Sequence, residues 1–443
     1  MKKKWLLPVL SILTFTLPFQ GQANEPVSLF QIYQLAEKSD PVYLSSEANY
    51  LAQQEANPQS WAAVLPQINF SAYRSSTDQD IKGTAGTSSY DSDGYTLSIT
   101  QALFRQSDFV RISQSNATIL KAQADFDTAK HDLILRVATS YFNVLAAKDN
   151  LKFNNAEFTS LSQRLIQSEQ KFEVGLIAIT DVHEARARHD LSVAQVITAK
   201  NQVQIALENL REITGLTLTD VNELKETFPL LTPNPDNIDA WAKLAFKNNL
   251  ELIAAKQFMQ IAEDEISIQR AGHLPTLDLV AKQDHTNIGG GFFGSRETDE
   301  TSISLQFNMP LFEGGRTSSK TTQARYLYNA SKQQYIQTQR ATERLARSGY
   351  LNVIATISKV KALQQAVISN EKALETTQAG FEVGTRTTVD VLNSQRELFL
   401  AKKDYARARY DYLLETLRLK KAAGILISSD LEKISALSTI GIQ

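Results

Sequence analysis

Cysteine is absent from the 443 residues, and glycine (18) and proline (11) together fall at about half of average usage. Without a thiol there is no disulfide framework, no thiolate metal site and no cysteine to carry a lipid. With so few chain breakers the elements must be long and uninterrupted. An excess of positive charge is missing as well. Outside the lysines at 2, 3 and 4, 43 basic residues face 48 acidic ones, which argues against a surface built for nucleic acid.

What is present begins with a leader. Met1-Lys2-Lys3-Lys4 is a basic start, "WLLPVLSILTFTLPF" an apolar run and Gly21-Gln22-Ala23 a small-residue cleavage site, the pattern of a secretory signal peptide over 1–23. The run carries Pro8 and Pro18 and is shorter than the roughly 20 residues a spanning helix needs, and no other stretch has the character of one.

The rest of the chain is written twice. "FEVGLIAITDV" (172–182) returns as "FEVGTRTTVDV" (381–391), 209 positions on. At the same offset Leu65-Pro66 matches Leu274-Pro275, Tyr141 and Asn143 match Tyr350 and Asn352, and Gly215 matches Gly424. Two repeats follow, 24–233 and 234–443, each far longer than a solenoid unit. Within each, Ile68, Phe70 and Ala72, and again Leu277, Leu279 and Ala281 or Ile303, Leu305 and Phe307, alternate with polar residues. Four strands are expected, in β-hairpins over about 67–104 and 276–311. The segments 75–94 and 283–300, rich in Ser, Gly and Asp, are expected to be surface loops.

Between the hairpins the period becomes helical. Residues 105–174 contain neither Gly nor Pro, and Phe126, Ala129, Leu133, Val137, Tyr141 and Val144 recur every three or four positions. At about 1.5 Å per residue such a helix runs roughly 100 Å. Gly175 permits a turn, and a helix of about half the length returns to Gly215. The repeated eleven-residue motif is thus expected at the tip of a long antiparallel helical hairpin, once per half. Alternating strands suit a half-buried soluble sheet as well as a membrane barrel. Four strands have no second sheet here, however, and a barrel closes only at about eight, so closure would require chains to pool their hairpins.

The leader, the duplicated unit, "HLPTLDL" (273–279), "YFNVLAA" (141–147), "VGLIAITDV" (174–182) and "VGTRTTVDVL" (383–392) together resemble the TolC family of outer-membrane channel-tunnel proteins, over about 28–425. The resemblance implies an α+β membrane protein. In it a homotrimer shares one twelve-stranded β-barrel in the outer membrane of a Gram-negative bacterium and extends an α-helical tunnel through the periplasm. It further implies an exit duct without cofactor, working with a periplasmic adaptor and an inner-membrane efflux or ABC transporter to export drugs, proteins or both. The alternatives are a trimeric adhesin-type barrel and a soluble periplasmic adaptor with a helical hairpin.

Enzyme motifs fail on inspection. In "HEARARHD" (183–190) the position required for the second zinc histidine is Ala187. "GGGFFG" (289–294) lies between strands and opens no helix. The resemblance places Asp390 in a ring at the periplasmic constriction, with Asn393 where the family has a second aspartate. Thr387-x-x-Asp390 also reads as a capping box, and both roles can hold. It assigns Thr180, Asp181, Arg386 and Arg409 to the polar links that hold neighbouring hairpins closed, with Phe381 replacing that network's tyrosine. Val174, Gly175, Leu176, Val383, Gly384 and Thr385 correspond to the adaptor contact, although the two glycines equally suit a tight turn.

Overall fold

Low Gly and Pro content yields four helices that dominate the molecule. The computed structural model describes residues 26–80, 87–291 and 293–438, so the signal-peptide segment 1–23 lies outside the described residues. Helix α4 (Gln106–Glu173, 68 residues) returns as α5 (Ile179–Thr214), and α8 (Arg316–Glu382, 67 residues) returns as α9 (Thr388–Ala422). At the helical rise α4 and α8 are each about 100 Å long. Among the described residues no helix is long and apolar enough to cross a membrane.

Shorter helices precede each strand pair: α1 (Leu29–Ser39), α2 (Pro41–Gln54) and α3 (Ala56–Ala62) in the first half, α6 (Ile238–Asn248) and α7 (Leu250–Arg270) in the second. The correspondence reaches individual caps. Asp40 accepts the Tyr43 amide at 2.7 Å to start α2, and Asn249, 209 positions on, accepts the Leu252 amide at 2.9 Å to start α7. A final helix, α10 (Ser428–Ser435), packs against α1.

The strands β1 (Gln67–Asp80), β2 (Thr87–Phe104), β3 (Thr276–Ile288) and β4 (Arg296–Asn308) form one antiparallel meander in the order β1-β2-β3-β4. The two hairpins are therefore joined, by β2 against β3 with a bulge between Ala102 and Phe104. Register places Ile68, Ile99, Ala281 and Ile303 in one row of one face, flanked by Phe70 and Leu97 and by Leu279 and Leu305. The opposite face carries Asn69, Ser98, Lys282 and Ser302 in one row and Ser71, Thr96, Asp284 and Glu300 in the next.

One expectation is corrected here. Most of 75–94 and 283–300 is strand, because Ser75–Asp80 pairs with Thr87–Ser92 and Gln283–Ile288 with Arg296–Thr301. There the side chains are polar on both faces, so the period of two disappears from the sequence while the backbone ladder continues. Gly289 extends the pairing by donating its amide to the Asp91 carbonyl at 2.7 Å.

The apolar core lies at the waist of the helical body. Leu133, Val137, Tyr141, Phe142 and Leu145 of α4 are buried with Leu210 of α5, Leu413, Leu417 and Leu419 of α9, and Leu29 and Ile32 of α1. Around that waist runs the connection between the halves, residues 215–237. Its backbone is held by side chains of the long helices: the Tyr141 hydroxyl donates to the Asn222 carbonyl, and the Tyr412 hydroxyl accepts from the Leu231 amide at 2.9 Å and donates to its carbonyl at 3.0 Å.

Candidate functional site

At the end of α4 the Gly175 amide reaches the Phe172 carbonyl at 2.9 Å and the Leu176 amide reaches that of Lys171 at 2.8 Å. At the end of α8 the Gly384 amide meets the Phe381 carbonyl at 3.1 Å and the Thr385 amide that of Gly380 at 2.8 Å. Both reversals pass through a positive φ, +73° at Gly175 and +79° at Gly384, which only glycine adopts without strain. Apolar side chains are left outside: Val174, Leu176 and Val383 are 69%, 72% and 75% exposed. Thr385 turns its hydroxyl back to the Gly380 carbonyl at 2.9 Å.

The return helices start differently. At α9 the Asp390 amide donates to the Thr387 hydroxyl at 3.2 Å, and the Asp390 carboxylate accepts the Thr387 amide and hydroxyl, each at 2.9 Å. This is a complete capping box. The Thr387 amide, then its hydroxyl, hold the Asp390 carboxyl below the ordinary carboxylate range. At α5 the equivalent of Thr387 is Ala178, which has no side-chain oxygen to offer, so α5 starts without a side-chain cap.

Near the tips, Phe381 and Asn393 tie the second hairpin to the first. The Phe381 ring receives Lys171 at 4.8 Å and Arg164 at 5.2 Å from its centroid, both from α4. Asn393 accepts a hydrogen bond from Arg188 of α5 at 3.4 Å. Neither Arg164, Lys171 nor Arg188 was singled out from the sequence. Their partners lie more than 200 residues away, and only superposing the repeats as packed hairpins would have paired them.

The other expected residues are dispersed. Thr180 and Arg386 are exposed beside the tips, the Arg386 stem lying against Gly380, where a Cβ would come within 2.8 Å of it. Arg409 is remote. It sits 19 residues beyond Asp390 on α9, about 28 Å by helical rise. There it is buried between Tyr405 and Tyr410, and it donates to the Lys225 carbonyl at 3.2 Å and to the Glu226 carbonyl. Within one chain the tip gathers Thr180, Asp181, Phe381, Arg386, Asp390 and Asn393, and Arg409 fastens the connecting segment. The motif at 183–190 lies along α5, where His189 contacts Asp190 at 3.0 Å.

The sheet, the duplicated helices and the tips can now be set beside known proteins. The model of the family described as outer membrane efflux protein matches twice, at 32–216 and 241–425. This chain belongs to that family. The outer membrane protein TolC of Vibrio cholerae serotype O1 is 36% identical over 412 residues, covering 92% of this chain and 93% of that one. The alkaline protease secretion protein AprF of Pseudomonas aeruginosa is 29% identical, covering 93% and 87%. Among solved structures, the outer membrane protein VceC of Vibrio cholerae superposes with a TM-score of 0.76 over 89% of this chain and 96% of that one, at 18% identity, which speaks for the fold. Like other outer membrane efflux proteins the chain resides in the outer membrane of a Gram-negative bacterium and is an exit duct. The adhesin and soluble-adaptor readings give way to it.

Proposed function

We propose that three copies of the chain assemble into one duct, each contributing its four-stranded sheet to a twelve-stranded barrel and its long helices to a periplasmic tunnel. The observation that carries this is the sheet itself. Its apolar face is covered by nothing among the described residues, and its first and last strands, β1 and β4, each have one unpaired edge. In a bilayer an open edge is untenable, and four strands cannot close alone. Pairing β4 of one copy with β1 of the next removes every edge. The polar face then lines a water-filled lumen, and the apolar face meets lipid. Repeats 24–233 and 234–443 are the duplicated units of this design.

Transport is passive in this reading. An inner-membrane efflux or ABC transporter supplies the energy, and a periplasmic adaptor docks at the tips on Val174, Gly175, Leu176, Val383, Gly384 and Thr385. Drugs, proteins or both pass, since relatives include a protease secretion protein. Asp390 recurs three times around the narrowest ring, with Asn393 one turn inside it. Thr180, Asp181 and Arg386 form the links between neighbouring hairpins, and Phe381 takes the aromatic place there. Arg409 acts on the same closure from the waist.

Planar-bilayer recording of the purified protein tests the duct, which requires trimer-sized conductance steps; a detergent-soluble monomer that never conducts would refute it. The ring is tested by Asp390→Ala. A negative ring of small radius concentrates cations and binds multivalent ones, so the variant should lose block by periplasmic multivalent cations while still forming trimers. Retained wild-type block would leave Asp390 as a helix cap only.

A further inference from the structure

The second turn of the tip carries a cation that the ring reading leaves unused. Arg188 and Arg186 both project from α5, but they end differently. Arg186 meets a carboxylate, Glu169, across the hairpin at 2.7 Å. Arg188 instead donates to the neutral amide of Asn393 at 3.4 Å, and among the described residues no carboxylate lies within 4.0 Å of its guanidinium. Glu184, one turn before it on α5, makes no ion pair with it among the described residues. Glu397 pairs with Arg396 at 2.9 Å, and Glu157 of α4 is half-buried, with Arg396 ahead of Arg188 in acting on it. Asn393 follows Asp390 by three residues, about 4.5 Å along α9. Each chain thus presents a carboxylate and, one turn deeper, an amide with a guanidinium behind it that meets no carboxylate at ion-pair distance among the described residues.

We infer that Arg188 sets the ion preference of the constriction in opposition to Asp390, so that the duct discriminates weakly between cations and anions and tolerates anionic cargo. This rests on the reading of Asp390 as a constriction ring. The reason is electrostatic: in each chain the guanidinium stands behind the residue one helical turn from the Asp390 carboxylate, so three positive charges oppose three negative ones in acting through water on a permeating ion. It also fixes what position 393 can do. An aspartate there would meet Arg188 at hydrogen-bond distance and form an ion pair, leaving the net charge of the deeper turn near zero. Asn393→Asp alone should therefore only cancel Arg188, as Arg188→Gln does, and add no net negative ring beyond that.

The test is the reversal potential of single channels of the full-length protein in a potassium chloride gradient, for five variants. Arg188→Gln should raise the cation-over-anion permeability ratio several-fold, since it removes three unit charges from beside the ion path. Arg188→Lys, which keeps the charge, should match wild type. Asn393→Asp, which brings the deeper turn to the same net charge, should raise the ratio no further than Arg188→Gln does, whereas the two combined should exceed either alone. Asp390→Ala should lower the ratio. If Asp390→Ala responds but Arg188→Gln does not, or if Asn393→Asp alone raises the ratio as much as the double variant does, the inference is overturned and the ring stands. A silent Asp390→Ala overturns the ring reading itself. Trimer recovery on native gels for each variant separates these outcomes from a folding failure.

Discussion

Leu305 offers the sharpest test of which face of the sheet meets lipid. It pairs with Leu279 of β3, stands two residues from Ile303 and two from Phe307 on the same face, and is 62% exposed in the chain. Along β4 that face turns polar at Thr301 and the strand ends at Asn308. About four residues either way is roughly 14 Å of strand, or about 10 Å of height at a tilt near 40°. The apolar band is thus about 20 Å tall with Leu305 near its middle. A cationic side chain at the midplane of such a band costs about 2 to 4 kcal/mol, borne three times by a trimer. Ser304 points to the other face, beside Val280 and above the row of Ser302 and Lys282.

The experiment compares Leu305→Arg with Ser304→Arg, scoring heat-modifiable trimers recovered from outer-membrane fractions and the midpoint of urea unfolding from lipid. The first variant should lose most trimer or shift strongly to lower urea, and the second should stay close to wild type. Equal tolerance at both sites would refute the lipid-facing assignment and return the sheet to a half-buried soluble one. Equal intolerance would place both faces in packed interfaces, which contradicts a water-filled lumen.

Two further outcomes concern the waist. Asp40 is 1% exposed and takes both terminal nitrogens of Arg136, at 2.7 and 2.8 Å; burial alone would raise its pKa, but the Arg136 fork and the Tyr43 amide prevail and hold it below the ordinary carboxylate range. Its stabilisation is therefore complete above pH about 4 and lost as pH falls through the depressed value. Arg136→Ala should cost about 3 kcal/mol at neutral pH by stranding a buried carboxylate, and should flatten the acid limb of the melting-temperature profile. An unchanged limb would show that the pair is not what acid attacks. At Gly424, with φ +71°, a Cβ would stand 2.0 Å from the Asn248 carbonyl oxygen. At Gly384, with a similar φ, it would meet nothing within 4 Å. Gly424→Ala should thus abolish folded protein, while Gly384→Ala should cost only about 1–2 kcal/mol for the left-handed backbone. Equal trimer yields for the two would refute the steric account.

What could be read from the chain divides along the range of the interactions involved. Local patterns carried the long helices, the tips at Gly175 and Gly384, and the apolar stripe from Phe126 to Val144, of which Leu133, Val137 and Tyr141 are fully buried. Alternation found the strands only where one face is apolar. Beyond Ala72 and Tyr95 the ladder runs on through Ser75, Ser76, Ser89 and Ser92 with nothing in the side chains to mark it. The connecting segment 215–237 was opaque for a different reason. It has no period, and its order is imposed by hydroxyls and a guanidinium from Tyr141, Tyr412 and Arg409, which lie 81 to 184 residues from the carbonyls they hold. The same distance hides Arg188 from Asn393.

Duplication has left the two tips alike in backbone and unlike in chemistry. Each return helix begins 209 positions from the other with an aspartate in its first turn, Asp181 or Asp390. Threonine at 387 fixes the second aspartate by three hydrogen bonds within its own turn; alanine at 178 leaves the first without that anchor. A carboxylate held by its own helix keeps one position and stays ionised well into acid, as a charge meant to act on passing ions must. One not so held keeps its acceptor capacity for a partner brought alongside, as a link that has to form and break must. In the proposed duct, a single substitution between equivalent positions would thus suit one copy of the aspartate to a fixed ring and the other to a releasable contact.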